Sequence, residues 1–206
     1  IKKLNIDNKI TLKNYKNNNY SSSVIIINSK IFAISKNNEL LEFNYTSGEL
    51  ISSKKIIFSN FDKDTIISLK YFNNTFILAY KSGSIIRINK NAEVIWKFDS
   101  HKTLNTPLKI FENQIIALYV DEIKSISIDD GIKIWSEIYE DLPIYQSKGG
   151  ELVNFLNLLF FILPNNKVGS IDLNIGISHN SNFNKIPLIS SINNVNDKIH
   201  IFDNYL

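Results

Sequence analysis

Short apolar runs alternate along the whole chain with small polar clusters rich in Asn, Asp, Ser and Gly. Three of the runs are apolar without a break: Phe76-Ile77-Leu78-Ala79-Tyr80, Ile115-Ile116-Ala117-Leu118-Tyr119 and Leu158-Leu159-Phe160-Phe161-Ile162. A run of that length bounded by turn residues reads as a strand, and apolarity on both faces means cover on both faces. No stretch sustains a helical period. Around the first run the pattern predicts four strands, about 65–72, 75–80, 84–89 and 93–99. They are joined by Asn73-Asn74, Lys81-Ser82-Gly83 and Lys90-Asn91-Ala92. Asn and Gly tolerate the positive φ that tight hairpins demand.

That four-strand layout recurs. Trp96 and Trp135 each lie four residues past a turn, and each turn follows a β-branched run, Ile85 to Asn89 and Ile126 to Asp129. The same arrangement without Trp surrounds Gly48 and Gly176, so the turn positions 48, 92, 131 and 176 are 44, 39 and 45 apart. A second anchor is a polar turn between two apolar strands, at 29, 74, 113, 157 and 204, with spacings of 45, 39, 44 and 47. Two anchors with one period of about 40 to 45 residues give the length of one four-stranded propeller blade. The expected fold is all-β, a β-propeller of four-stranded antiparallel blades, with a β-sandwich as the competing arrangement. The expected units are 20–63, 64–103, 104–143 and 144–197, with a fifth opening over 198–206. Residues 1–19 are expected to be the outer strand of a preceding blade or a closing strand. About four blades and the start of a fifth make an incomplete propeller, so a longer protein of about seven or eight blades is expected.

Composition changes this picture little. Of 206 residues, 37 are Ile, 29 Asn and 22 Lys, against a single arginine, Arg87. All three abundant residues have AT-rich codons, so a low-GC genome explains them. The net charge of +3 comes from lysines scattered singly, which is not the clustered basic face of a nucleic-acid binder. The absence of cysteine excludes disulfides, thiolate zinc sites and cysteine nucleophiles from this stretch. With no methionine in the chain, Ile1 is expected to arise by processing or to lie within a longer product. The most apolar run, 155–163, is too short to span a membrane as a helix.

The residues that could carry chemistry are sparse. His101, His179 and His200 lie far apart, and none has a ligand partner at metal spacing. Asp62-Lys63-Asp64 lacks the further oxygens that a calcium loop needs. Asp129-Asp130 and Glu140-Asp141 read as solvated turns. Gly83 and Gly149-Gly150 belong to no phosphate loop, and Pro143 and Pro187 fall at unit junctions.

The repeat positions themselves are the informative residues. Trp96 precedes Lys97 and Trp135 precedes Ser136, so the blades lack the Trp-Asp ending of WD repeats. Only one Gly-Gly pair occurs, which argues against Kelch repeats. The run Ser127-Ile128-Asp129-Asp130-Gly131-Ile132-Lys133-Ile134-Trp135 resembles the PQQ-like (pyrroloquinoline-quinone-type) repeat, roughly Ala-x-Asp-x-x-Thr-Gly-x-x-x-Trp, one residue short before the Gly. The stretches 43–48 and 171–176 resemble its first half, with Ser52 and Asn180 in the Trp position. The stretch 88–96 lacks the Gly but keeps Trp96. The resemblance covers about 20–183 and marks Gly48, Trp96, Gly131, Trp135 and Gly176 as repeat positions. It implies that each Trp docks on the Gly-bearing peptide of a neighbouring blade. Within the family the chain is most similar to BamB-type outer-membrane assembly lipoproteins of low-GC proteobacteria. That similarity implies a non-enzymatic periplasmic scaffold without cofactor, held at the outer membrane by an upstream lipid anchor and binding a BamA-like component. Its protein-binding residues stay unassigned. A fragment of a quinone-dependent dehydrogenase and a ligand-sensing propeller are the alternative members of the same repeat class.

Overall fold

The computed structural model describes residues 24–57, 64–104, 106–138, 153–155, 157–162, 168–179, 189–195 and 198–203. Among them every regular element is a strand. The chain divides into two units, residues 1–97 and 98–206.

In the first unit, two four-stranded antiparallel sheets follow one another in simple sequence order. The first comprises β1 (Ile25–Ile27), β2 (Lys30–Ile34), β3 (Glu39–Asn44) and β4 (Leu50–Lys55). The second comprises β5 (Ile66–Phe72), β6 (Thr75–Tyr80), β7 (Ser84–Ile88) and β8 (Val94–Asp99). The strands expected around Phe76 are thus placed to within a residue. Their turns carry the anticipated dihedrals: Asn73 and Asn74 have φ of 44° and 61°, Gly83 98° and Ala92 64°.

Alternation decides what each strand buries. Phe32, Ile34 and Leu40 of the first sheet form one cluster with Phe76, Leu78, Tyr80, Ile86 and Ile88 of the second. The rings of Phe32 and Phe76 meet at a centroid distance of 4.9 Å with a 50° tilt, a favourable aromatic geometry. The opposite faces are also buried, through Ile31, Leu41 and Phe43 in one sheet and Ile77, Ala79 and Ile85 in the other. Continuous apolar strands are therefore covered on both sides, which is why they do not alternate.

The second unit repeats the design. Its sheets are β9 (Lys109–Phe111), β10 (Gln114–Leu118), β11 (Glu122–Ser127) and β12 (Lys133–Ile138), then β13 (Val153–Phe155), β14 (Leu158–Ile162), β15 (Val168–Asp172) and β16 (Ser178–His179). Ile116, Leu118, Ile123 and Trp135 of one pack against Leu159, Ile171 and Leu173 of the other. Four successive four-stranded antiparallel sheets, stacked in pairs through their faces, are the blades of a β-propeller.

A fifth, two-stranded sheet follows. The last described sheet is a hairpin of β17 (Ile189–Val195) and β18 (Lys198–Asp203), with Val195 paired to Lys198. Its first strand lies in the stretch assigned to the fourth unit, and the expected turn at Asn204 lies outside the described residues. The polar residues Ser190, Ser191, Asn193 and Asn194 conceal β17. The stretches 1–19, 139–152 and 180–188, with Glu140-Asp141, Pro143, Gly149-Gly150 and Pro187, lie outside the described residues.

Candidate functional site

The turns between the third and fourth strands are where the repeat residues gather. Gly48, Gly131 and Gly176 have φ of 70°, 73° and 71°, a conformation that costs any other L-residue about 1–2 kcal/mol. Each donates its N–H to the carbonyl four residues back: to Asn44 at 2.9 Å, Ser127 at 3.0 Å and Asp172 at 2.8 Å. Asn44 Oδ1 accepts from the N–H groups of Thr46 and Ser47. Asp172 Oδ1 accepts from those of Asn174 and Ile175. Hydrogen bonding of this kind is what favours Asx residues at turns. The second blade uses a turn one residue shorter, in which Asn89 is the cap and Ala92 closes the loop at 3.0 Å.

This geometry revises the motif alignment in the third blade. Ser127 occupies the place of Asn44 and Asp172, so Asp129 lies two residues beyond the capping position. Asn113 Nδ2 donates to Asp129. Asp130 is held below the usual carboxylate range by hydrogen bonds from Ser127 and from the N–H of Ile132.

Trp135 and Gly176 are brought together. The indole Nε1 donates to the carbonyl of Leu173 at 2.8 Å. The ring lies so close to Gly176 that a Cβ there would stand 2.6 Å from its Cγ and Cδ2. Trp96 is buried in the first unit, and Gly48 and Gly131 are buried in their turns.

Sequence reasoning missed the counterpart of this contact in the first unit. Ser52 stands where Trp135 stands in its own blade, four residues past the turn glycine, and its hydroxyl is spent within the sheet on Glu42. Lys54, two residues on, donates to the carbonyl of Lys90 at 2.9 Å and to Asn91 Oδ1 at 3.1 Å. Lys90 directly follows the cap Asn89, as Leu173 follows the cap Asp172. The ammonium therefore takes the carbonyl that the indole takes elsewhere.

A buried charge network was missed as well. Glu122 and Lys124, both on β11, have side-chain exposures of only 6% and 11%. Lys102 Nζ lies 2.9 Å and Lys124 Nζ 3.1 Å from Glu122 Oε2. Lys102 also pairs with Asp121, and Lys124 donates to Ser100 Oγ. Lys124 also lies 5.2 Å from the ring centroid of the fully buried Tyr119, within cation–π range. Burial by itself would raise the Glu122 carboxyl, but the hydrogen bonds from the two lysines outweigh it and hold it low. The hydrogen bond to Glu122 holds Lys102 above its ordinary value. Burial pushes the Tyr119 phenol up, against a hydrogen bond with Ser100 that lowers it. Only an alternating strand with two charges at i and i+2 hinted at this, and such charges usually face solvent.

The other candidates are scattered. His101 is exposed, while His179 and His200 lie on β16 and β18. Asp64 accepts from the N–H groups of Thr65 and Ser82, and Asp62 and Lys63 lie outside the described residues. Among the described residues no three His, Cys, Asp or Glu side chains stand together as a metal site would require.

The outer strands carry the remaining distinctive surface. Ile51, Ile95 and Ile134 each stand three residues past the turn residue of their blade, on β4, β8 and β12, and each is about half exposed. In β4 and β12 that residue sits at a register shift, between Ser52 and Leu50 and between Trp135 and Lys133, so it is the extra residue of a β-bulge.

No family model and no curated protein matches the sequence. Solved structures do match the fold. The computationally designed Ika8 protein aligns with a TM-score of 0.61 at 12% identity, over 86% of this chain and 54% of that one. BamB from Moraxella catarrhalis aligns with a TM-score of 0.56 at 14% identity, over 77% of this chain and 48% of that one. The computationally designed Ika4 protein gives 0.60 at 10% identity, over 79% and 96%. The chain thus spans about half the length of the first two. At these identities the likeness is one of fold, and with the four blades it defines the class as a β-propeller.

Proposed function

We propose that the chain is the PQQ-like repeat region of a non-enzymatic, protein-binding propeller of the BamB type. It would act as a periplasmic scaffold in outer-membrane β-barrel assembly. The observation that carries this reading is the recurrence of a half-exposed isoleucine, Ile51, Ile95 and Ile134, at one repeat position on three outer strands. Apolar side chains on strands that, among the described residues, are terminal in their sheets suit the capture of extended polypeptide by edge pairing. The turn polar groups serve the fold instead, since Asn44, Asn89 and Asp172 cap their own loops. The BamB likeness in fold supports the assignment, and a BamA-like component is the proposed partner. Membrane attachment would come through a lipid anchor outside this sequence.

A photo-crosslinking residue at 51, 95 or 134 in the full-length protein tests this in cells. Crosslinks to an outer-membrane assembly component are expected from at least one position. Background labelling from all three would remove the scaffold reading. Alcohol oxidation by the purified protein with added quinone and calcium would replace it with the dehydrogenase alternative.

A further inference from the structure

Residues 100–104 run between β8 and β9 as a strap across the loop that joins β10 to β11. We propose that this strap is an acid-sensitive device: Glu122 latches it shut, and it opens, with the blades still folded, when that carboxylate is neutralised. The inference stands apart from the scaffold reading and does not need it.

Three contacts close the strap. Ser100 Oγ accepts from the Lys124 ammonium at 3.2 Å. Lys102 Nζ lies 2.9 Å from Glu122 Oε2 and 3.0 Å from Asp121 Oδ1. Leu104 forms an antiparallel bridge with Tyr119, and both are fully buried. Between the first two contacts His101 has a φ of 57°, in the left-handed region that side chains disfavour. The strap is therefore bent against its own backbone preference and held by side-chain anchors on either side of the bend.

Those anchors converge on one group. Glu122 takes Lys102 from the strap and Lys124 from its own strand, and Lys124 in turn holds Ser100. The Lys102–Asp121 pair is part-exposed, and such pairs contribute little alone. Neutralising Glu122 would leave the Lys124 ammonium, 11% exposed in its side chain, without its carboxylate. A stranded charge is costly while it stays buried, so lifting the strap and admitting water relieves it. The charged groups around the latch are Lys102, Lys124, Asp121 and, acting on Tyr119, Asp99. Glu137 of β12 stands opposite Ile123, and Lys109 of β9 opposite Ile116, so strand alternation puts both on the other face of the sheet. Burial raises the Glu122 carboxyl, but the hydrogen bonds from the two lysines outweigh it and hold it low. The strap is thus closed above the ordinary carboxylate range and opens as pH falls through the lowered value.

The chain has no cysteine, so a single introduced thiol reports opening. In the full chain, Leu104→Cys places the thiol in the strap and Ala117→Cys places it in β10, at another fully buried position. Labelling by a pyridyl disulfide, which reacts in acid as well as at neutrality, is scored against a free thiol at the same pH. At neutral pH the thiol at 104 should react about tenfold or more faster when Glu122→Gln is added. Lys102→Gln, changed on the exposed side of the latch, should move the rate in the same direction. With Glu122 in place the rate at 104 should climb between about pH 5 and about pH 3, around the ordinary carboxylate value, and Glu122→Gln should abolish the climb. The thiol at 117 should stay protected throughout. Equal rates at 104 with and without Glu122→Gln, no climb in acid, or a thiol at 117 that reacts in step with the one at 104 would each overturn the proposal.

Discussion

The indole of Trp135 donates its N–H to the carbonyl of Leu173 while its ring occupies the space above Gly176, so one side chain both pairs with and excludes atoms of a single turn in the next blade. Trp135→Ala should cost about 3–5 kcal/mol, the usual loss for a buried aromatic. Trp135→Phe keeps much of the area but orphans the Leu173 carbonyl, for a loss of about 1–3 kcal/mol. Gly176→Ala forces a Cβ into the ring at positive φ and should be severe in the wild type. It should be much milder in Trp135→Ala, where the ring is gone. Urea unfolding of the four variants measures the cycle. A loss under about 1 kcal/mol for Trp135→Ala would place the indole outside the core.

The closing residues of the turns should respond differently to one methyl group. Gly48→Ala places a Cβ in the left-handed region and should lose about 1–2 kcal/mol. Ala92→Gly relieves the same conformation, at φ 64°, but removes a methyl that is 3% exposed. The relief of about 1 kcal/mol and the loss of about 0.8 kcal/mol nearly cancel. Thermal melts should therefore show a clear fall for the first variant and almost no change for the other.

The Glu122 network should govern part of the acid limb. Its folded carboxyl lies below the ordinary carboxylate value. Its stabilisation is therefore fully present above the unfolded pKa of about 4.3 and is lost as pH falls through the folded value. Glu122→Gln should flatten the stability–pH profile in that acidic window. Glu122→Ala at neutral pH strands Lys124 in the interior and should cost about 3–5 kcal/mol, whereas Glu122→Leu with Lys124→Met should recover most of it. Denaturant titrations at pH 3, 5 and 7 (chosen to bracket about 4.3) would detect both effects. Identical acid limbs for wild type and Glu122→Gln would sink the assignment.

Thr106 is 1% exposed, and among the described residues its hydroxyl has no hydrogen-bond partner. Replacing it with Val keeps the shape and removes a desolvated polar atom. A gain of about 1 kcal/mol is expected. A loss of similar size in calorimetry would show that the hydroxyl is satisfied in solution.

What could be read from the sequence follows from how local each signal is. Asn73-Asn74, Gly83 and Ala92 announce their turns because positive φ is a property of one residue, and the strands between them then have little freedom. The long period survives because Gly48, Gly131 and Gly176 recur in equivalent loops even where the flanking residues diverge. Lys54 at the Lys90 carbonyl and Lys102 at Glu122 join residues far apart in the chain, and a lone lysine carries no mark of its acceptor. β17 went unannounced for the opposite reason, since Ser190, Ser191, Asn193 and Asn194 make it half polar. On the surface, Ile51, Ile95 and Ile134 were visible as apolar letters, but the exposure of Ile51 and Ile134 goes with bulges that no spacing encodes.

The exchange of Trp135 and Gly176 for Ser52, Lys54 and Ala92 has a consequence for how such arrays diverge. A turn that no ring leans upon is released from glycine, and a strand that faces an alanine turn has no seat for an indole. Decay of these repeats should therefore proceed joint by joint, with two neighbours changing in concert, so the blade boundary rather than the blade is the unit on which substitutions accumulate.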